Sequence, residues 1–540
     1  MRMRNLTGLA LVIGLGLAAC NRQEEAKPYA IEEVPLSQIA DDLAAGKTTS
    51  VAVTQAYLDH IKTYNGAVNG VIGVMPDALQ QAAASDQRRK DGKSAGPMDG
   101  IPILLKDNID AVGMPTTAGS FALADNVPVK DSEVARRLRG AGAVILGKAN
   151  TSQWAGLRAT RNGPGGSTVG GTPRNPYNLA HSTAGSSNGS GVSAAASFSA
   201  ATVGTDTAGS IVAPSNANGV VGIRPTIALV SRRGIVPVSL TSDTAGPMGR
   251  NVRDTAMLLN VLAGSDPEDP ASANADQNKT DYVKGLSTDA LQGRRIGVYR
   301  GVGAFERVQP VFDEALATLT AQGATLIDIP DAVLEDLSQE HRMVMISDIK
   351  DDMAAYLATA PASVKSRTLA DLIAFNASDP RENPFGQDLF EAAEATPGRA
   401  GEEYIKTREY AQRRAGAEGY GKALSDYQLD AIAAPTGGPA GLITPPAPAA
   451  GAAPSAGGGH PAAIAPKGSR RPSISGIAAL AGYPNLSVPM GYVEGLPVGL
   501  SLVGAPWTEG QLLAMGYAYE QASKKRVPPT AYKQAAPASN

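Results

Sequence analysis

The sequence predicts an α/β protein. Three observations carry the prediction. Segments of helical period alternate with short apolar runs along most of the chain, the pattern left by strands linked through helices. The chain has 540 residues, 43% hydrophobic and 18% charged, enough apolar material for a large core. Its 60 glycines and sparse aromatics suit close packing and many tight turns.

The elements follow in order. Residues 36–46 and 49–64 are helical in period. In the second, Val51, Val53, Tyr57, Leu58 and Ile61 share an apolar face, with Thr49 or Ser50 as N-cap. A third helix is expected over 77–91. Residues 101–105 form a short apolar run flanked by glycine and lysine, the signature of a buried strand. Helix 131–141 leads into strand 143–146, and helix 311–322 into strand 324–329. Residues 296–299 form another strand, and 342–360 and 402–424 are helical. Over 437–466, Gly, Pro and Ala make up 24 of 30 residues, a composition expected of a mobile surface loop. The regular pattern returns with strands at 486–489 and 499–503 and a helix at 509–523. The low-complexity stretch, bounded at 437–470, therefore interrupts a single domain spanning 36–530, followed by a tail, 531–540. No internal repeat is visible.

The start of the chain has a different character. Residues 1–5 are basic, 6–19 apolar, and Leu17-Ala18-Ala19-Cys20 follows. This is the shape of a secretory signal, and the apolar run is short for a spanning helix, which needs about 20 residues. The last four residues resemble a bacterial lipoprotein cleavage site. Cys20 would be the lipidated new N-terminus, residues 1–19 the signal peptide and 20–35 a tether. The expected location is the cell envelope, lipid-anchored, with the periplasmic face of the outer membrane favoured by Asn21. Membrane contact is expected only through this anchor. Cys20 is the one cysteine, which excludes disulfides within the chain and cysteine-based metal sites. Net charge is −3, or −5 once Arg2 and Arg4 leave with the signal. Nucleic-acid binding usually requires a basic face, so no nucleic-acid partner is expected.

Candidate chemistry concentrates between His181 and Pro225. Two loops, G-S-S-N-G-S-G (185–191) and G-T-D-T-A-G-S (204–210), flank a helix-like stretch of small residues. Each offers serine hydroxyls on tightly folding backbone, whose exposed N–H groups can hold an oxyanion. Serine hydrolases usually use histidine as base, but the chain has four: His60, His181, His341 and His460. His60 and His341 sit in helix-like segments, His460 in the low-complexity stretch, and His181 too near the first loop in sequence to serve it. Each reads as a surface or packing residue. Residues 185–189 match G-x-S-x-G, but that motif requires a preceding strand, and 178–184 are polar and turn-like. Residues 142–149 nearly match a phosphate loop, but Ala149 replaces the required Ser or Thr and the middle, A-V-I-L, is a buried strand. Lysine is the remaining base. Lys106 ends the apolar run 101–105, where desolvation would lower its pKa toward neutrality. A lysine snorkelling to solvent, or paired with Asp107 or Asp110, fits these residues equally well.

These elements, in this order, resemble the amidase signature family. G-I-P-I-L-L-K-D-N (100–108) is similar to its lysine motif, and the two Gly/Ser loops to its serine loops. V-V-G-I-R-P-T (220–226), D-T-A-G-P-M-G-R-N-V-R-D-T-A (243–256), L-D-A-I-A-A-P-T (429–436) and G-L-P-V-G-L-S-L-V-G (495–504) follow as the family has them. The resemblance spans residues 36–523. It implies an α/β amidase signature fold, a mixed twisted sheet with helices on both faces, that hydrolyses carboxamides through an acyl-enzyme without cofactor or metal. Carried over residue by residue, Ser210 is the nucleophile, Ser186 the bridging serine and Lys106 the base. The bond Gly185–Ser186 is expected to be cis. The backbone N–H groups of Thr207, Ala208, Gly209 and Ser210 form the oxyanion hole, while Ser187 and Asp206 position the loops. Two departures stand out: Ala208 where many members have glycine, and Val212 where many have arginine. The run G-S-I-V-A-P is similar to bacterial peptide amidases, which remove C-terminal amides of peptides, so a small amide or peptide amide is the expected substrate of a monomeric enzyme. A general aliphatic or aryl amidase is the alternative. A glutamyl-tRNA amidotransferase A subunit is disfavoured, because that role is cytoplasmic and this chain carries an export signal. A non-catalytic envelope lipoprotein on the same scaffold is the reading from another class, opposed by the presence of all three catalytic candidates.

Overall fold

A computed structural model describes residues 29–160, 165–301, 305–443 and 473–535. Its centre is an eleven-stranded sheet among the described residues. The strands are β1 (Val71–Val74), β2 (Pro102–Lys106), β3 (Val144–Ala149), β4 (Ala201–Asp206), β5 (Val221–Arg224), β6 (Thr244–Gly249), β7 (Arg295–Val298), β8 (Thr325–Asp328), β9 (Ala431–Pro435), β10 (Asn485–Val493) and β11 (Leu496–Val503). They lie in the order β1-β3-β2-β4-β6-β5-β10-β11-β9-β7-β8. The sheet is mixed. β3, β2 and β4 run parallel, as do β8, β7 and β9, while the pairings from β4 through β6, β5, β10 and β11 to β9 are antiparallel.

Every residue of β2, β3, β4, β9 and β11 is buried. Successive side chains of a strand point to opposite faces, so both faces of the sheet are covered, as predicted. Ile103, Leu104 and Leu105 are fully excluded from water, and each such burial contributes roughly 1.5–3 kcal/mol. This anchors β2, and with it the lysine at its end. The helices carrying the expected periods form at Leu36–Ala44, Ser50–Val68, Ala78–Lys90, Glu133–Gly140 and Glu509–Ser523. Thr49 caps the second, accepting from the Ala52 amide.

Several elements differ from expectation. The small-residue stretch between the Gly/Ser loops is half helix, Asn188–Ala195, and half strand, β4. The chain reverses at Ser197, whose φ is 56°. Alanines and serines there leave no apolar period by which to separate the two states. Helix 402–424 forms but loosens into a π-turn at Gly416–Tyr420. The first part of the low-complexity stretch is held fast: Ser182 N–H donates to Gly441 O (2.8 Å), Ile443 N–H to Ala180 O (2.8 Å) and Asn216 Nδ2 to Gly438 O (3.0 Å). Residues 444–472, with His460, lie outside the described residues. So do the signal segment and Cys20. At the edges of the predicted domain, Ile31 of the expected tether is buried, and Ala531–Gln534 of the expected tail form a short helix with Tyr532 buried. Tyr532 packs edge-on against His60. Among the described residues no helix is long and apolar enough to cross a membrane.

Candidate active site

β2 pairs in parallel with β4, Leu105 lying opposite Val203. That register carries Lys106 to the Thr205 end of β4. Lys106 is fully buried. Its Nζ lies 2.7 Å from Ser186 Oγ, 2.7 Å from Thr205 Oγ1 and 3.4 Å from Thr205 O. Burial lowers its pKa from 10.5 to about 7, against the opposing pull of the Asp206 and Asp243 charges. The sequence left open whether Lys106 is desolvated or paired to Asp107 or Asp110. The structure places it among hydroxyls. Asp107 instead faces Lys148, at 3.8 Å.

The first Gly/Ser loop approaches Lys106 through Ser186. The Gly185–Ser186 peptide is cis. The Ser186 carbonyl is fixed by the Ser152 amide (3.0 Å) and the Thr151 hydroxyl (3.2 Å). Ser187 stitches the two loops together: its hydroxyl donates to Thr205 O (2.9 Å) and accepts from Thr205 N–H (3.1 Å), while its amide donates to Ser210 O (3.2 Å).

The second loop is built around Asp206. Its carboxylate accepts from Gly209 N–H (2.8 Å), Ile211 N–H (2.7 Å) and the Arg224 guanidinium (2.9 Å). Arg224 reaches it from β5, fully buried, and also donates to the carbonyls of Asp206, Ser242 and Ala479. Gly209 sits at φ 111°, a conformation that favours glycine, and a Cβ there would lie a tight 3.0 Å from Ser475 Cβ. Thr207 donates its hydroxyl to Asp243 (2.5 Å). Ala208 and Ser210 are half-buried, and Ala208 packs on an apolar cluster that includes Trp154, Val238 and Phe390.

Lys106, Ser186, Ser187, Asp206, Thr207, Ala208, Gly209 and Ser210 thus occupy one site. Two of the histidines, His60 and His341, are engaged elsewhere. His60 bonds Ala196 O at 2.9 Å, and His341 lies 3.3 Å from Ser242 Oγ with its pKa lowered by burial to about 4. The near phosphate-loop lysine, Lys148, is buried in β3, bonded to Ile109 O and Thr116 Oγ1, each at 2.7 Å. Four residues reached the site without having been singled out: Asn108, Thr205, Arg224 and Asp243. Asn108 and Thr205 sit within the lysine and nucleophile motifs themselves. Arg224 and Asp243 lie in later motifs whose sequence gives them no role.

Comparison with known proteins follows the same lines. The family model for amidases matches residues 52–513. A protein of Arabidopsis thaliana named probable amidase is 34% identical over 536 residues, covering 96% of this chain and 95% of its own. The peptide amidase of Stenotrophomonas maltophilia superposes with a TM-score of 0.85 at 40% identity, over 93% of this chain and 99% of its own. A structure of the peptide amidase PAM with the competitive inhibitor chymostatin superposes with a TM-score of 0.84 at 40% identity, over 93% of this chain and 100% of its own. Fold, site and sequence agree that this chain belongs to the amidase signature family and is an amidase, a hydrolase of carbon–nitrogen bonds.

Proposed function

We propose that the protein hydrolyses C-terminal amides of peptides through Ser210, Ser186 and Lys106. The observation that carries the reading is the 2.7 Å contact between the buried Lys106 Nζ and Ser186 Oγ, with burial lowering the lysine pKa to about 7. A neutral amine accepts the proton of Ser186, and Ser186 accepts that of Ser210. The freed Ser210 oxygen forms a bond to the amide carbon as the carbonyl becomes an oxyanion. Backbone N–H groups of the 207–210 turn hold that charge, each donor contributing about 3–4 kcal/mol. The Gly209 amide already donates to Asp206 at 2.8 Å, so Thr207, Ala208 and Ser210 are the principal donors. The carbon–nitrogen bond then breaks, the relayed proton goes to the leaving nitrogen, and ammonia departs. Water, activated by the same relay, cleaves the acyl-enzyme and restores Ser210.

The likeness to peptide amidase across 93% of the chain supports peptide amides over simple amides. Ser210→Ala is expected to lower ammonia release from peptide amides by at least a thousandfold and to abolish labelling by a fluorophosphonate. Near-normal turnover in that variant would sink the reading. The substrate class is tested by ammonia release across peptide amides, free amino-acid amides and simple aliphatic or aryl amides. Peptide amides are expected to give the highest kcat/KM.

The proposed location, a lipid anchor at Cys20 in the cell envelope, is supported by the run Leu17-Ala18-Ala19-Cys20. Cys20→Ser is expected to block processing or release the protein from membranes. Unchanged membrane association would remove the anchor.

A further inference from the structure

Three directions at Lys106 Nζ are occupied: Ser186 Oγ at 2.7 Å, Thr205 Oγ1 at 2.7 Å and Thr205 O at 3.4 Å. A neutral amine has two N–H groups and one lone pair. Both Thr205 oxygens can accept an N–H, the carbonyl having no other option. The lone pair is then left facing Ser186, the hydroxyl whose proton it must take. After proton transfer the same three directions accept the three N–H groups of the ammonium, so the lysine need not turn during turnover.

This arrangement makes a demand on the Thr205 hydroxyl. Asn108 Nδ2 donates to Thr205 Oγ1 at 3.0 Å and lies 3.4 Å from Val236 O. The Val236 carbonyl can only accept, which assigns the Asn108 nitrogen to that side. Thr205 Oγ1 therefore accepts from both Lys106 and Asn108, and its own proton needs a third partner. The Asn108 oxygen is buried without a partner. Asn108 and Thr205 both line a small hollow together with Thr207, Arg232, Val236 and Asp243. It has room for about one water molecule, and a buried water requires 2–4 polar partners. Thr205 O–H can donate to such a water. The Asn108 oxygen and the Asp243 carboxylate can accept from it.

We infer that Thr205 is a positioning residue that aims the Lys106 lone pair at Ser186, held in that role by one buried water bridging Thr205, Asn108 and Asp243. The inference rests on the Lys106–Ser186–Ser210 reading. Around Nζ the charged groups are Asp206, paired with Arg224, and Asp243, beside Arg232. Removing the hydroxyl takes an acceptor from a buried ammonium, which disfavours the charged form.

The test compares Thr205→Val, of nearly the same shape, with Thr205→Ser and Lys106→Met. Thr205→Val is expected to lower kcat at least tenfold, with little change in KM, and to move the acid limb of the pH profile to lower pH. Thr205→Ser should return kcat to within about threefold of the parent. A high-resolution crystal structure of the unaltered protein should show a water within hydrogen-bonding distance of Thr205 Oγ1 and Asn108 Oδ1. Should Thr205→Val fold poorly, that density decides the matter by itself. Native kcat and pH profile in a folded Thr205→Val variant, or an empty hollow in the crystal, would overturn the inference. Turnover surviving in Lys106→Met would instead overturn the underlying mechanism, so the two failures are distinguishable.

Discussion

Lys106 lies fully buried at the end of β2, and its pKa falls from 10.5 to about 7 because burial penalises the ammonium. Two consequences belong to this residue. The first is kinetic. The amine must be neutral to accept a proton, so kcat/KM is expected to rise tenfold per pH unit below about 7 and to level off above it. A profile flat between pH 5 and 8 would remove Lys106 as the base. The second concerns stability. The unfolded chain holds the lysine proton more tightly than the folded one, so between about 7 and 10.5 the unfolded state binds more protons and stability rises with pH. Below about 7 the folded protein carries the full penalty, on the order of 5 kcal/mol relative to a solvated lysine. Lys106→Met should therefore be inactive yet gain in melting temperature relative to the parent. The gain should be larger at pH 6 than at pH 9, readable by calorimetry at both values.

Among the elements, the 206–210 turn depends on a strand it does not adjoin in sequence. Arg224 on β5 binds the Asp206 carboxylate and three carbonyls in the interior. Asp206 in turn holds the amides of Gly209 and Ile211 on either side of Ser210. Removing one partner of a buried ion pair leaves the other uncompensated, at a cost of roughly 3–5 kcal/mol. Arg224→Met is expected to destabilise by that amount in denaturant titrations. It should also lower kcat more than it raises KM, because the turn loses its shape. Arg224→Lys should recover only part of the loss, since an ammonium cannot reproduce the guanidinium fork. Unchanged stability in Arg224→Met would show that the turn is held by its own backbone.

Across the whole molecule, buried charges tie together segments distant in sequence. Glu382 is fully buried and accepts from Ser120, the Phe121 amide, Gln153, Arg158 and Thr168. It thereby fastens the helical region after residue 338 to the loops beside the first serine. Arg526 pairs with Glu33 and Lys533 with Glu32, closing the described ends of the chain on one another. Glu32 and Glu33 of the expected tether and Lys533 of the expected tail are thereby joined to the folded body. A similar lesson holds for the low-complexity stretch. Its composition predicts mobility, yet 437–443 are paired to the segment leading into Ser186.

The sequence by itself determined the α/β class, a buried strand ending in Lys106 and, through a family resemblance, the candidate residues Lys106, Ser186, Ser187, Asp206, Thr207, Ala208, Gly209 and Ser210. These were legible because glycine-rich turns and an apolar run ending in lysine are local signals, and because their order along the chain resembles one family. Tertiary structure decided the rest. β4 could not be told from helix in a run of alanine and serine, because small side chains fit either state. Thr205, Asn108, Asp243 and Arg224 acquire their parts only where β2, β4 and β5 converge, since a hydrogen bond depends on angstroms in space and carries no mark in sequence. The state of Lys106 was decided there as well. Two partners were conceivable from its neighbours in sequence, but the fold buries it among neutral oxygens, which lowers its pKa from 10.5 to about 7.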